Sequence, residues 1–213
     1  VSLQNVTVRD NLQSNLGTIY STGVLEIDQS SFLRNQANNG GALHVGGVVT
    51  ITRSTFANNA GRATDRNDGG AIFVTSAGQV TIANSTFSGN VAKGTGGAIV
   101  TSINVAADPS VAIYNSSFVG NSAFIGSAIR VFRCKVEVHN SLFANNGSNA
   151  CSGVFPTSNN LSSDSTCGGG NGDQTDVDIK VAQLANYGGS TMTHALMVGS
   201  PAIDAGDAAT IRA

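Results

Sequence analysis

Two segments that alternate apolar and polar residues contain the strongest candidates for catalysis. Glu137 and His139 alternate with valines in "KVEVH", and Tyr114 ends "SVAIY", a segment of the same pattern. A carboxylate, an imidazole and a phenol can exchange protons with a substrate, and such chemistry cleaves polysaccharides. Polar side chains on the outer face of a strand produce the same pattern, so a structural role is the alternative.

Three aspartates are candidates for binding a metal ion. Asp173, Asp176 and Asp178 lie in "GDQTDVD", where oxygen ligands of the kind that Ca²⁺ prefers follow a glycine-rich segment. The segment lacks the ligand spacing and the closing glutamate of an EF-hand loop. Calcium is therefore the one cofactor to consider, and the sequence predicts no other.

Two of the three cysteines are predicted to form a disulfide. Cys151 and Cys167 flank "SGVFPTSNNLSSDST", a segment rich in serine and asparagine that we expect to lack a core of its own. A disulfide would restrain such a segment. Disulfides persist in oxidising compartments, which favours a secreted or cell-surface protein. Cys134 lies in an alternating apolar segment and is expected to be a free, at least half-buried thiol.

The elements that must position these residues repeat along the chain. One signature is an aromatic residue followed three positions later by asparagine, at Phe32/Asn35, Phe56/Asn59, Phe87/Asn90, Phe118/Asn121 and Phe143/Asn146, with a degenerate copy at Val8/Asn11. A second signature begins with paired glycines at Gly40, Gly69 and Gly96, and with Gly-Ser at Gly126. The aromatic residues are 24 or 25 positions apart, or 31 where loops near 62–68 and 102–109 are inserted. This period indicates a solenoid.

Between the two signatures lie segments that alternate apolar and polar residues, such as "VLEIDQSSF" and "QVTIANSTF". Such alternation, rich in valine, isoleucine and threonine, is typical of strands. The sequence therefore predicts an all-β fold: a single-stranded, right-handed parallel β-helix of about six coils. Residues 1–167 would form the coils, and 168–213 an irregular C-terminal cap of the same domain. The cap would cover the last open coil with Val181, Leu184, Leu196, Met197 and Ile203.

The signatures have structural roles in this fold. The phenylalanines fill the interior, the asparagines satisfy backbone groups at a bend, and the glycine pairs allow close approach of neighbouring coils. A polar column at a corner is formed by Asn5, Gln29, Arg53, Asn84, Asn115 and Asn140. The Asn-x-Ser/Thr sequences of this column are interpreted as part of the repeat rather than as glycosylation sites.

The register of the coils identifies the residues that face outward. Glu26 and Asp28 lie about 19 Å, or four coils, from Glu137, too far to act with it as one catalytic pair. Another outward column predicts a ligand-binding strip that consists of Tyr20, His44, Phe73, Val100 and Arg130, with Phe132 two residues further on. Stacked rings and planar groups could hold a polysaccharide or a protein. The alternative is that the C-terminal segment or the inserted loops cover this strip.

Both repeat signatures resemble those of the chlamydial polymorphic outer-membrane proteins. The C-terminal segments "NNLSSDSTCG" and "LANYGGSTMTHALMVGSPAIDAGD" are similar to the "choice-of-anchor Q" tail of secreted bacterial β-helix proteins. The resemblance implies a pectin lyase-like solenoid that is exported and displayed or released, with adhesion or glycan contact as its role. It implies no catalytic residues, because the shared motifs are structural.

Composition narrows the function further. A net charge of −2 without a basic stripe predicts no nucleic-acid partner, and the lack of a long apolar run predicts no membrane span. We expect a non-catalytic, secreted or cell-surface binding or adhesion module, with an extracellular polysaccharide or a host or cell-surface protein as partner. The chain would be a monomer or part of a larger polypeptide. The alternatives are a polysaccharide lyase or glycoside hydrolase, and a structural spacer.

Overall fold

A computed structural model describes residues 1–13, 15–62, 69–75, 77–102, 110–132, 134–147, 149–153, 155 and 157–208. These residues contain strands and turns and no α-helix. All strand pairs within the sheets are parallel, which confirms the predicted parallel β-helix. The loops predicted near 62–68 and 102–109 lie, apart from Arg62 and Ser102, outside the described residues.

In chain order the strands are β1 (Ser2–Gln4), β2 (Thr7–Arg9), β3 (Ile19–Ser21), β4 (Val24–Asp28), β5 (Ser31–Leu33), β6 (Gln36–Ala37), β7 (Leu43–Val45), β8 (Val48–Thr52), β9 (Thr55–Ala57), β10 (Ala60–Gly61), β11 (Ile72–Val74), β12 (Gln79–Ala83), β13 (Thr86–Ser88), β14 (Val91–Ala92), β15 (Ile99–Thr101), β16 (Ser110–Tyr114), β17 (Ser117–Val119), β18 (Ile129–Arg130), β19 (Lys135–His139), β20 (Leu142–Ala144), β21 (Cys151–Ser152), β22 (Thr157–Ser158) and β23 (Leu161–Ser162).

The strands form four sheets along the rod. Sheet I has the order β1-β4-β8-β12-β16-β19-β22, sheet II β2-β5-β9-β13-β17-β20-β23, sheet III β21-β18-β15-β11-β7-β3, and the short sheet IV β14-β10-β6. Each complete coil passes through sheets I, II and III in turn, and coils 2 to 4 also contribute to sheet IV. Sheets I and II each contain seven strands, so a partial seventh coil follows the predicted six.

The seventh coil lies in the segment between the cysteines, where we expected no core. Strands β22 and β23 pair with β19 and β20, and Leu161 is buried. The structure contains the Cys151–Cys167 disulfide, with the two Cα atoms 5.0 Å apart. Cys134 is a half-buried free thiol, and burial raises its pKa. The disulfide therefore joins strand β21 of the sixth coil to the chain that follows the seventh.

A stack of parallel phenylalanine rings runs through the core. Phe32, Phe56, Phe87, Phe118 and Phe143 are completely buried, and successive ring centroids lie 4.7 to 5.0 Å apart. This distance is close to the spacing of neighbouring strands, because the register places identical residues above one another. Removing one ring would leave a cavity and cost about 3–5 kcal/mol.

The asparagines of the first signature form a buried hydrogen-bond ladder. Asn59 Nδ2 donates to Asn90 Oδ1 at 3.0 Å and to the Phe32 carbonyl of the preceding coil at 2.9 Å. Asn90 makes the same two contacts with Asn121 and with the Phe56 carbonyl. The ladder pairs backbone groups that the bend would otherwise leave buried without partners. Because Asn146 is part of it and 2% exposed, its Asn-x-Ser sequence has a structural role.

The paired glycines follow from two separate backbone requirements. Gly96 has φ +67°, a left-handed conformation that side chains disfavour. A Cβ atom at Gly97 would lie 1.9 Å from the Ser127 carbonyl oxygen of the next coil. The first glycine thus allows the turn, and the second allows the coils to approach closely.

The C-terminal segment follows a different path from the predicted cap. Asn171 and Gln174 first extend the rod by isolated bridges, and residues 181–196 then form an antiparallel hairpin through Val181/Leu196 and Ala185/Thr193. The predicted apolar cap of Val181, Leu184, Leu196, Met197 and Ile203 is wrong in its main residues, since Leu196, Met197 and Ile203 are 40–51% exposed. Ile179 is buried instead, packed with Val119, Ala144 and Leu161.

Candidate functional site

The strip of rings predicted on sheet III lies in register but is largely buried. His44 and Phe73 rings stack 4.7 Å apart, and the Tyr20 ring meets His44 edge-on at 5.2 Å. Tyr20 is 54% exposed, whereas His44 and Phe73 are each 5% exposed. The prediction of an exposed strip is therefore wrong for His44 and Phe73, and only its Tyr20 end is open.

The turns that precede sheet III cover this strip. His44 Nδ1 donates to the Asn39 carbonyl at 3.3 Å, and burial lowers the pKa of His44. A Cβ atom at Gly69 would lie 2.8 Å from Cγ1 of Val100, the next outward residue of the strip, which is completely buried. The backbone at Gly69 thus packs directly on the outward side chain of sheet III in the next coil.

At the end of the strip opposite Tyr20, Arg130 and Phe132 form a cluster with Ser152. The Arg130 guanidinium lies 4.4 Å from the centroid of the Phe132 ring and donates through Nη1 to Ser152 Oγ. Arg130 Nε is buried and is the one buried side-chain polar atom of the described residues without a hydrogen-bond partner. Phe132 and Arg130 are half-buried. Arg130 thus contacts Phe132 of its own coil and Ser152 of the next coil, and the Phe132 backbone N–H donates to Thr101 Oγ1 of the preceding coil.

The C-terminal hairpin covers the outer face of sheet II. Thr55 Oγ1 donates to the Met192 carbonyl at 2.5 Å, and Thr86 shares a hydrogen bond of 3.1 Å with Thr193. His194 Nδ1 donates to the Ala182 carbonyl at 2.7 Å, while Nε2 lies 2.9 Å from Ser88 Oγ. Because burial lowers the pKa of His194, its neutral form is favoured in this position.

The outer face of sheet I is open along most of its length. We call it the open face; it consists of Ser2, Gln4, Val24, Glu26, Asp28, Val48, Thr50, Thr52, Gln79, Thr81, Ala83, Ser110, Ala112, Tyr114, Lys135, Glu137 and His139. Glu26, Thr50 and Thr81 are exposed, whereas Ala83 and Tyr114 at the corner side are buried. Hydroxyl and carboxylate groups thus stand in straight columns on a rigid surface.

One end of the open face contains a shallow cavity of about 320 Å³, lined by Ser2, Gln4, Glu26, Ile27, Asp28, Thr50, Thr52 and Arg53. Arg53 Nη2 and Nε donate to Asp28 at 2.6 and 2.9 Å, and Thr52 Oγ1 donates to the same carboxylate at 2.7 Å. These hydrogen bonds, that of Arg53 foremost, lower the pKa of Asp28. Asp28 is therefore ionised, and its carboxylate oxygens accept hydrogen bonds from Arg53 and Thr52.

The opposite end brings together the three residues that the sequence proposed for catalysis. Tyr114 donates its hydroxyl to Glu137 Oε1 at 2.5 Å, and its ring stacks on His139 with centroids 5.6 Å apart. His139 Nδ1 lies 2.6 Å from Ser158 Oγ. Sequence reasoning missed Ser158, because that residue belongs to the seventh coil, and only the register of β22 on β19 places it beside His139.

The two carboxylate groups of the open face are well separated. The register runs from Glu26 through Thr50, Thr81 and Ala112 to Glu137, which is four strand spacings or about 19 Å. Paired carboxylates of glycoside hydrolases lie about 5 to 10 Å apart. The arrangement does not supply such a pair from Glu26 and Glu137.

Asp173 ends a second polar ladder, in which the backbone N–H of Ser116 donates to Ser141 Oγ and that of Ser141 donates to Asn160 Oδ1. Its Oδ1 accepts from Asn160 N at 2.8 Å and Nδ2 at 3.1 Å, and its Oδ2 accepts from Thr157 Oγ1 at 2.5 Å and Gly170 N at 2.7 Å. A carboxylate suits this position because it only accepts. Asp176 adopts φ +57° at a turn, and Asp178 is exposed. Among the described residues, no three metal-ligating side chains of the His, Cys, Asp or Glu types are grouped to hold an ion.

The sheets, the stacked register and the two polar ladders agree with the result of comparing the chain with models of protein families. A family model for the right-handed β-helix region matches residues 1–167. The chain belongs to this right-handed β-helix family. The match covers the six coils of the β-helix and the segment that forms its seventh, and it ends at Cys167.

Comparison of the β-helix with curated proteins and with solved structures gave no match. Within the part of the chain that the structure describes, no helix combines the length and the apolar character needed to cross a membrane. The function of this β-helix is therefore inferred from its own surfaces.

Proposed function

We propose that this β-helix is a non-catalytic binding module, secreted or displayed on a cell surface, that holds an extended polysaccharide on its open face. The observation that carries the proposal is the difference between the three long outer faces. Sheet II is covered by the C-terminal hairpin and sheet III by the turns, whereas Thr50 and Thr81 of sheet I are exposed.

The open face has the chemistry that an extended, hydroxyl-rich polymer needs. Glu26, Thr50 and Thr81 occupy one straight column, so hydrogen-bonding groups recur once per coil, about every 4.8 Å. The core holds these groups in place before a ligand arrives, which reduces the entropy lost on binding. The disulfide and the resemblance of the repeats to those of bacterial surface proteins support an extracellular location.

Retention on insoluble glycans tests the proposal. The protein would be incubated with plant, algal and bacterial polysaccharides, and bound protein and released products would both be measured. We expect retention on at least one glycan without products, and an approximately tenfold or greater loss in Thr81→Arg, which blocks the centre of the open face. Gln36→Arg, at an exposed position of sheet IV, is the matched control and should bind normally.

Four other results would contradict the proposal. Retention that Thr81→Arg leaves intact would move the ligand to another surface. Release of products would make the protein an enzyme. Neither retention nor products from any glycan would favour a structural spacer, and binding to an immobilised cell-surface protein alone would replace polysaccharide by protein as the partner.

A second candidate function is polysaccharide cleavage, which the contact between Tyr114 and Glu137 favours. The carboxylate accepts the phenol proton at 2.5 Å, and Ser158 orients His139 beside it. A lyase could use His139 to remove the proton next to a sugar carboxylate, whereas a hydrolase would need a second carboxylate nearby. Product formation that is lost in both Glu137→Gln and His139→Ala would establish this activity, and its absence in the wild-type protein would exclude it for the glycans tested.

Calcium stays a separate proposal. Asp176 and Asp178 are the remaining candidate ligands, because the oxygens of Asp173 accept four hydrogen bonds. A Ca²⁺ titration that raises the unfolding midpoint in the wild-type protein but not in Asp176→Asn, Asp178→Asn would support a site there. Equal midpoints with Ca²⁺ and with a chelator would contradict it.

A further inference from the structure

The centre of the open face carries no charged side chain. Strands β8, β12 and β16 are consecutive in sheet I, and they contain no aspartate, glutamate, lysine or arginine. Thr50, Gln79 and Thr81 are exposed there, and they offer hydroxyl and amide groups to a ligand. Such groups pair with the hydroxyl groups of a sugar, but they do not neutralise a carboxylate.

The cavity at one end of the open face has an excess of negative charge. It is lined by two carboxylates, those of Glu26 and Asp28, and by one guanidinium, that of Arg53. Arg53 Nη2 and Nε already donate to Asp28, at 2.6 and 2.9 Å. Glu26 is exposed, and among the described residues its carboxylate has neither a hydrogen bond nor an ion pair. The charge of Glu26 is therefore uncompensated in the cavity.

The opposite end of the open face has no excess of positive charge. Lys135 and Glu137 occupy alternate positions of β19, so both side chains lie on the outer face and their charges offset each other. With Arg53 included, the described residues of the open face have three carboxylates and two cations, which gives a net charge of −1. Each of the two cations thus lies near a carboxylate of the protein itself.

A polymer of uronic acids does not find partners for its charges on this surface. A carboxylate that loses water needs a cation or several N–H donors in return. Strands β8, β12 and β16 supply neither, because the backbone N–H groups of a sheet donate to the neighbouring strands. In the cavity the carboxylate would lie beside Glu26, which repels it. An uncharged sugar has neither disadvantage.

We infer that the open face is selective for uncharged polysaccharides over polymers that carry a carboxylate on every sugar. The inference rests on the proposed function and names the charge class of its ligand. It also distinguishes the binding module from a lyase, because removing the proton next to a sugar carboxylate requires the acidic polymers that this surface disfavours. Because the open face is exposed, dissolved salt weakens the repulsion.

Matched polymers that differ in charge test the inference on the full-length protein. Each polysaccharide that retains the protein is compared with an altered form on the same support. Uncharged polymers such as cellulose are oxidised at their primary hydroxyl groups to carboxylates, and acidic ones such as polygalacturonate are methyl-esterified. At low salt we expect retention on the uncharged form to be at least about threefold stronger, which is the Coulomb effect of one unit charge at about 6 Å in water. In about 1 M salt the difference should become smaller.

Variants of Glu26 locate the repulsion. Glu26→Gln keeps the size of the side chain and removes its charge, so it should reduce the preference for the uncharged form, and Glu26→Lys should reduce it further. Asp10→Asn is the matched control, because it changes the net charge of the protein as Glu26→Gln does. Asp10 follows β2, at the end of that strand that lies away from sheet I, and its φ of +58° also suits asparagine. This variant should keep the preference of the wild-type protein.

The failure of the inference and that of the proposed function give different results. Equal retention on both forms of a polymer, or stronger retention on the acidic form, would overturn the charge selectivity while the binding module stands. A preference that both Glu26 variants leave unchanged would overturn the role of the cavity. Retention on no glycan would overturn both the inference and the proposed function. Circular dichroism of each variant shows that the coils are intact.

Discussion

The outer faces of sheets I and III differ in accessibility, although their sequences alternate in the same way. In sheet III the outward side chains of His44 and Phe73 are buried, whereas in sheet I those of Thr50 and Thr81 are exposed. Sheet I continues into sheet II through corners of two residues, for example 29–30, which are too short to fold over a face. Longer connections precede sheet III, and they pack on its outward residues.

The difference shows where a solenoid can bind a ligand. Alternation along a strand distinguishes the core side from the outer side, and it contains no information on what covers the outer side. Two-residue corners adjoin sheet II as well as sheet I, so the face that stays accessible is the one that neither a turn nor the C-terminal hairpin covers. The open face is such a face, and a cavity lined by Asn84, Asn115 and Asn140 adjoins it at the corner between sheets I and II.

The largest expected effect tests the burial of sheet III. Phe73→Asp places a carboxylate between neighbouring coils without a partner, so the free energy of unfolding should fall by about 3–5 kcal/mol. Thr81→Asp on the open face should change it by no more than about 0.5 kcal/mol. Urea unfolding followed by circular dichroism measures both. Similar small losses in the two variants would mean that the strip is exposed after all.

The second prediction distinguishes the cover of sheet III, which the turns form, from the cover of sheet II, which the C-terminal hairpin forms. Replacing both cysteines, Cys151→Ser with Cys167→Ser, removes a crosslink between residues 16 positions apart and should cost about 2–4 kcal/mol. Hydrogen exchange should become faster in β20, β23 and the C-terminal hairpin, while the amides of β7 and β11 in sheet III stay protected. Equal acceleration in sheet III would show that the two covers are not independent.

Much of the fold follows from the sequence because it repeats. The phenylalanine column, the asparagine ladder and the glycine pairs each occupy one position of a 24-residue unit. A copy that is hard to interpret alone can therefore be interpreted from the other copies. The grouping of Tyr114, Glu137 and His139 follows from the same register. Ser158 could not be found in this way, because it lies in a segment without the signatures.

The accessible side of the rod could not be predicted for the same reason. The path of the C-terminal hairpin depends on contacts such as that of His194 with Ser88, which join residues 106 positions apart. No local pattern encodes such a contact. The sequence therefore indicates which residues face outward, whereas their exposure depends on non-repeating segments.

A third prediction uses pH to test the burial of the strip with little change in packing. Because burial lowers the pKa of His44, the unfolded chain binds more protons than the folded one in mildly acidic solution. The stabilisation is complete above the ordinary histidine pKa of about 6.5 and is lost as the pH falls below it. His194 contributes in the same direction.

The test compares urea midpoints at pH 5 and pH 8. His44→Phe keeps the stack with Phe73 and cannot be protonated, so the difference between the two midpoints should shrink by a modest amount, less than the loss in Phe73→Asp. His44→Gln, which is polar and does not titrate, should shrink it similarly. An unchanged difference in both variants would mean that His44 does not titrate differently on unfolding.

The smallest expected effect concerns the hydrogen bond at the end of the open face. Tyr114→Phe keeps the ring on His139 and removes the hydroxyl that donates to Glu137. We expect a loss of about 0.5–1.5 kcal/mol, as for a hydrogen bond to a partly exposed group. Glu137→Gln is the matched variant, because an amide oxygen can still accept the phenol proton.

If Glu137→Gln is as stable as the wild-type protein while Tyr114→Phe is not, the contact is an ordinary structural hydrogen bond. A loss in Glu137→Gln that matches or exceeds the loss in Tyr114→Phe would show that the charge of the carboxylate is needed.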